Sequence, residues 1–280
     1  MLEITDINED QVEPIAEKKP LKQYDSWSCV GEAVVGMAHR RGDKPSVCQD
    51  AYCIGNAERL IMAVCDGAGS SVLSEVGSQQ LSQAIVRLVS SLEPMLSLFL
   101  DENEDKKTGN KLAEIIYHYS IKLLQDLSLN HKRETKDFRT TLLLLIFGKE
   151  NAFWFKVGDG EIVIENNNEL SCAGKSHKGE YSNETVFIDT NLKIQDVQYG
   201  LLDAWDISGA ALMSDGCAER LVSIDQTRIS GQLSTFFDLQ RNDKIKREDL
   251  YKFLTNYENW QKTTHDDKTL VIASRKELTE

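Results

Sequence analysis

Five aspartates stand where hydrophobic segments end: Asp50 in Cys48-Gln49-Asp50-Ala51, Asp66 in Cys65-Asp66-Gly67-Ala68-Gly69, Asp159 in Val157-Gly158-Asp159-Gly160, Asp215 in Met213-Ser214-Asp215-Gly216, and Asp266 in His265-Asp266-Asp267-Lys268-Thr269. Three of them are Asp-Gly pairs, and one such pair alone reads as a tight turn. Asp159-Gly160 fits that turn reading well. The repeated pattern says more. Apolar strands ending in Asp, with Gly allowing close backbone approach, gather carboxylates around hard cations. Oxygen ligands without His or Cys favour magnesium or manganese. Two such ions about 3.5–4 Å apart can share one Asp and activate a water for attack on a phosphoryl group.

The elements that must position these acids are legible in outline. Strands are expected over Ser28–Met37, Arg59–Val64, Thr140–Phe147, Ala152–Val157, Glu161–Glu165, Thr185–Ile188, Ala210–Met213 and Lys268–Ala273. The pairs Gly148-Lys149 and Asp159-Gly160 predict that the third to fifth of these form an antiparallel meander. Leu81, Ile85, Leu88, Val89 and Leu92 make one apolar helical stripe, with Pro94 as its end or kink. A second amphipathic helix is expected over Leu112–Leu129, and two more near 228–240 and 246–258. Asp101–Asn110 and Asn166–Lys178 read as polar loops. Residues 1–25 read as a polar leader and 26–280 as one domain of stacked sheets covered by helices.

Composition narrows the function classes. The chain has 280 residues and a formal net charge of −13. That balance argues against binding to nucleic acid or to an anionic membrane surface. The longest apolar run, Leu142–Phe147, is strand-sized, and the first 25 residues lack an apolar signal segment. The cysteines, Cys29, Cys48, Cys53, Cys65, Cys172 and Cys217, form no CxxC pair. They read as reduced thiols in a cytoplasmic protein, with Cys65 and Cys217 as small apolar packing residues.

Taken in order, Gln49-Asp50, Asp66-Gly67-Ala68-Gly69, Thr140-Thr141, Val157-Gly158-Asp159, Ser214-Asp215-Gly216 and Asp266-Asp267-Lys268-Thr269 resemble the metal-dependent protein Ser/Thr phosphatases of type 2C, the PPM family. The resemblance spans about residues 28–274. Gly36-Met37-Ala38-His39 and Gly179–Thr185 are similar to its short bacterial branch. It implies an α+β fold, a four-layer α-β-β-α sandwich of two antiparallel sheets flanked by helix pairs. It implies two Mn2+ or Mg2+ ions, with Asp66 bridging them, the Gly67 carbonyl binding one, and Asp215 and Asp266 completing the second ion's shell. Asp50 would hold waters, and Asp159 matches an acid that in some members helps hold a third, weaker ion. The implied substrate is a phosphoprotein, and bacterial members often oppose a Ser/Thr kinase.

Three positions depart from that pattern. Gln49 stands where many members have Glu. Ala68 stands where some have a His that protonates the leaving alcohol, so His39, His265 or a water becomes the stand-in. The phosphate-binding Arg has no match in spacing; Arg41 is favoured over Arg40 and Lys44 because its fork fits phosphate oxygens. A pseudophosphatase serving as a regulatory module and a small-molecule phosphohydrolase are the competing readings. Retention of Asp66, Asp215 and Asp266 favours the active enzyme.

Overall fold

A computed structural model describes residues 24–40, 47–102, 107–175 and 185–277. Arg41, nearly all of the expected leader, and most of the Gly179–Thr185 motif lie outside them.

Two five-stranded antiparallel sheets form the centre. One runs β1 (Tyr24–Val34), β10 (Lys268–Glu277), β9 (Ile207–Met213), β6 (Glu161–Asn166), β7 (Glu169–Cys172). The other runs β2 (Ala51–Asn56), β3 (Leu60–Cys65), β4 (Leu142–Phe147), β5 (Asn151–Val157), β8 (Gln198–Asp203). Strands in such a stack are buried on both faces, which is why they read as unbroken apolar runs. Leu60, Met62 and Val64 alternate with Ile61, Ala63 and Cys65. The first set meets Leu143, Leu145, Ile162, Leu212 and Val271 between the sheets. The second set meets Leu81, Ile85, Val89, Leu112 and Ile116. Those residues belong to helices α1 (Ser74–Ser91) and α3 (Lys107–His131). A short α2 (Glu93–Leu96) carries Pro94 in its first turn, so that proline sits at the start of a new helix after the break. On the opposite side, α4 (Asp215–Leu221), α5 (Gln232–Arg241) and α6 (Arg247–Thr255) cover the first sheet through Cys217, Leu233, Phe237 and Leu250. A one-turn α7 (Tyr257–Trp260) follows. The layers are therefore helix, sheet, sheet, helix, as the resemblance implies.

Several local expectations need correction. Residues 140–165 do not form one meander. β4 and β5 pair, but β6 pairs with β9 and β7 in the other sheet. Gly158, at φ 111°, carries the chain across, and a Cβ there would lie 2.4 Å from Thr141 Cγ2. Asp159-Gly160 is thus a crossing between sheets and no hairpin turn. The polar loop expected over 166–178 contains β7, reached by Asn167 and Asn168 at φ 49° and 65°, a left-handed pair that suits a two-residue hairpin turn. The expected strand at Thr185–Ile188 reduces to one bridge between Ile188 and Thr140. β2, β8 and α4 were absent from the expectation.

Lys156 of β5 and Glu161 of β6 are buried and meet at 3.0 Å, pinning the two sheets on either side of the crossing. Gln226 Nε2 donates to the same Glu161 oxygen at 2.9 Å. Among the described residues no single helix is long and apolar enough to cross a membrane.

Candidate metal centre and active site

The strand registers converge the acids at one end of the sandwich. Ala51 pairs with Cys65, so Asp50 and Asp66 leave β2 and β3 side by side. Met213 pairs with both Leu270 and Glu161, which brings Asp215, Asp266 and Asp159 to the matching end of the other sheet. One cavity of about 180 Å³ opens there. Asp66, Asp159, Asp215, Asp266 and Asp267 line it, with Gly67, Ala68, Gly69, Gln49, His39, Thr185 and Phe187.

The backbone around Asp66 is held from β4's approach. Thr140 Oγ1 and the Thr141 amide donate to the Asp66 carbonyl at 2.9 and 2.8 Å, and the Asp66 amide donates to Thr141 Oγ1 at 2.9 Å. With the backbone so held, the carboxylate lies toward Asp159 and Asp215. Carboxylate oxygens of these three lie within 4.8 Å of one another. Like charges so close are tolerable only with protons or cations between them. Burial, with Asp50, Asp215 and Asp159 nearby, holds the Asp66 carboxyl well above the usual range. Burial, with Asp267 and Asp215 nearby, pushes Asp50 up to about 7, against the pull of Ser214 and Thr269 hydroxyls. Thr269 Oγ1 donates to Asp50 Oδ2 at 2.9 Å, while the buried Asp50 Oδ1 has no hydrogen-bond partner. Asp159 Oδ2 accepts from Thr185 Oγ1 at 2.8 Å.

A second group forms the opposite wall. His39 Nδ1 lies 3.1 Å from Asp267 Oδ1, and Nε2 lies 3.5 Å from Asp266 Oδ1. Asp267 is buried and accepts from the Gly36 and Gln49 amides at 2.7 and 2.6 Å. It fastens the start of β10 to the ends of β1 and the Gln49 loop. The fit is tight: a Cβ on Gly36 would lie 2.2 Å from the Asp266 carbonyl.

The expected residues therefore divide. Asp66, Gly67, Asp159, Asp215, Asp266 and His39 wall one cavity, and Asp50 stands behind it. His265 does not line the cavity; at φ 62° its ring stacks on Tyr257, 6.1 Å between centroids. Arg41 lies outside the described residues. Sequence reasoning assigned no role to Asp267, Thr141 or Thr269, although each sits in a motif it singled out. Gln49 keeps a wall position, with a buried Oε1 that lacks a hydrogen-bond partner. Burial raises the Cys65 and Cys217 thiols far above their ordinary range, in keeping with packing roles.

A family model described as Protein phosphatase 2C matches residues 35–255. No curated protein sequence matches the chain. Among solved structures, the catalytic domain of the serine/threonine protein phosphatase PstP, in complex with two manganese ions, is 15% identical at TM-score 0.59, covering 89% of this chain and 98% of that one. The serine/threonine phosphatase Stp1 from Staphylococcus aureus is 14% identical at TM-score 0.57, covering 92% and 98%. PppA from Pseudomonas aeruginosa, a regulatory component of T6SS, is 15% identical at TM-score 0.58, covering 90% and 99%. At such identities the likeness is one of fold.

Proposed function

Because the chain belongs to the protein phosphatase 2C family and is a metal-dependent protein serine/threonine phosphatase, we propose that this cavity hydrolyses phosphoserine and phosphothreonine with a water activated between two manganese or magnesium ions. The observation that carries the reading is the packing of Asp66, Asp159 and Asp215 oxygens within 4.8 Å. No Lys or Arg lines this cavity among the described residues. An oxygen-only donor set of this charge fits a hard divalent cation. The buried Asp50 oxygen without a partner fits the same purpose. Asp66, Asp215 and Asp266, with the Gly67 carbonyl, would hold the two ions, and Asp159 would serve a third, weaker one. When bound, the ions lower the pKa of the attacking water and offset charge developing on the phosphoryl oxygens.

The chain's own groups do the positioning. Thr140 and Thr141 fix Asp66; Thr269 orients Asp50, leaving one oxygen to accept from water. His39, facing Asp266 and Asp267 on the cavity wall, is our candidate for the group that hands a proton to the departing serine or threonine oxygen. Ala68 leaves that task open on the neighbouring loop. The same reading gives the enzyme a phosphoprotein substrate, a Ser/Thr kinase as its counterpart, and a cytoplasmic location. All six cysteines are free, which supports the last.

Manganese-dependent release of phosphate from a phosphothreonine peptide, compared with a phosphotyrosine peptide, tests the reading. Release from phosphothreonine should be faster by at least about tenfold and vanish with chelator. No release from either peptide would defeat it.

Metal binding should also be visible in stability. The Asp50 carboxyl is raised from an ordinary value near 3.8 to about 7, so the folded metal-free protein holds a proton that the unfolded chain gives up. Its contribution is present at low pH and lost as pH rises from about 4 to about 7. Cations compete with those protons. The gain in unfolding midpoint on adding manganese to chelated protein should therefore grow between pH 5 and pH 7.5. A gain independent of pH would contradict the carboxylate crowding described above.

A further inference from the structure

A cavity walled by five aspartates must receive a dianionic phosphoryl group. Bound cations offset part of that charge, but orienting the oxygens calls for a fixed donor at the wall. Among the described residues, Arg228 and Lys262 line an adjoining pocket that shares only Asp159 with this cavity, while four other cationic side chains belong to the cavity's own walls or to residues that adjoin them. His39 faces Asp266 and Asp267. Lys268 is buried, donates to the Asp266 carbonyl at 2.9 Å and lies 5.3 Å from the Trp260 ring centroid. Arg40 is exposed, with a marginal 3.5 Å contact to the Val35 carbonyl. Arg139 differs from all three.

Arg139 immediately precedes the Thr140-Thr141 pair that clamps Asp66. Its carbonyl accepts from the Ala68 amide at 2.9 Å, so its position is tied to the loop that follows Asp66. Its Nη2 lies 3.3 Å from Ser70 Oγ and its Nε 3.5 Å from Ser71 Oγ. Its guanidinium carbon sits 5.9 Å from the Phe187 ring centroid. Gly69 and Phe187 are both cavity walls. The guanidinium thus stands at the rim between them. Two long contacts to hydroxyls leave most of its five N–H donors without a strong acceptor. No carboxylate among the described residues lies within ion-pair distance of it.

We infer that Arg139 binds phosphoryl oxygens of the substrate and of the product phosphate at this rim. The inference rests on the phosphatase reading. A planar fork held loosely by hydroxyls can turn onto an incoming anion without breaking an ion pair first. The Phe187 ring offers the guanidinium a cation–π contact on the cavity side.

The test uses the full chain with manganese, comparing wild type, Arg139→Ala and Arg139→Lys. KM for a phosphothreonine peptide and the inhibition constant of inorganic phosphate should each rise about tenfold or more in Arg139→Ala, with kcat much less affected. Arg139→Lys should recover part of both, since it keeps the charge without the fork. Unchanged phosphate inhibition in Arg139→Ala overturns the inference. A Ser70→Ala/Ser71→Ala variant that reproduces the loss also overturns it, because Arg139 would then be a latch for the loop. Loss in Arg40→Ala with none in Arg139→Ala does the same. If wild type hydrolyses no phosphopeptide, the phosphatase reading fails. Calorimetric binding of inorganic phosphate to wild type and Arg139→Ala then still decides the role of Arg139.

Discussion

Asp66→Asn should lower kcat/KM for a phosphothreonine peptide by about 10³-fold or more, the scale on which a principal electrostatic group acts in catalysis. The side chain is nearly isosteric, so the clamp from Thr140 and Thr141 to the Asp66 backbone remains. What disappears is the charge facing Asp159 and Asp215 together. Manganese affinity should fall in parallel, read by calorimetry on chelated protein. Stability should move the other way. Burial and the neighbouring charges of Asp50, Asp215 and Asp159 disfavour an ionised Asp66 in the metal-free protein. The amide removes that repulsion, so the metal-free unfolding midpoint should be unchanged or higher. A variant within tenfold of wild-type activity would rule out a mechanism centred on Asp66. A variant that lost activity and unfolded early would show that the residue is chiefly structural.

Lys156→Met should be the most damaging substitution outside the cavity. Lys156 is fully buried, and among the described residues its partner Glu161 retains only Gln226 as a side-chain donor once the ammonium is gone. Breaking one side of a buried pair costs about 3–5 kcal/mol, because the remaining charge is stranded. In a chain of this size that corresponds to a fall on the order of 10 °C in unfolding midpoint. The pair brackets the crossing that carries Asp159, so manganese affinity should weaken as well. The double change Lys156→Met/Glu161→Leu should recover much of the stability, since an apolar pair fits a buried site between sheets. Equal destabilisation of single and double variants would mean that packing volume, and not the stranded charge, sets the cost.

Much of the site was legible along the chain because the local code there is strong. β3 and β9 are buried apolar runs followed closely by an acid, so Asp66 and Asp215 stand out as candidate ligands at strand ends. The order of the motifs around them identified the family and with it the layered fold. The stripe of Leu81, Ile85 and Val89 likewise marked α1 through its 3.6-residue period.

Other features carried no such local mark. β2 and β8 are mixed, half-exposed edge strands, without the apolar run that identifies a buried one. Asp159-Gly160 has the composition of a turn. Whether such a pair closes a hairpin or passes to another sheet depends on which strand edge is free to accept β6, and β9 supplies it. On paper His265, next to Asp266, was the better candidate and His39 the weaker one, and the structure reverses that order. Asp266 and Asp267 face the first, while Tyr257 takes the second. Arg139 has no motif of its own; its place at the rim follows from hydrogen bonds to residues nearly seventy positions earlier. The amino-acid sequence by itself determined which groups can bind cations and which segments must be buried, because both follow from side-chain chemistry and short-range period. Tertiary structure decided which of those groups share a cavity, because that depends on strand register and on contacts between segments far apart in the chain.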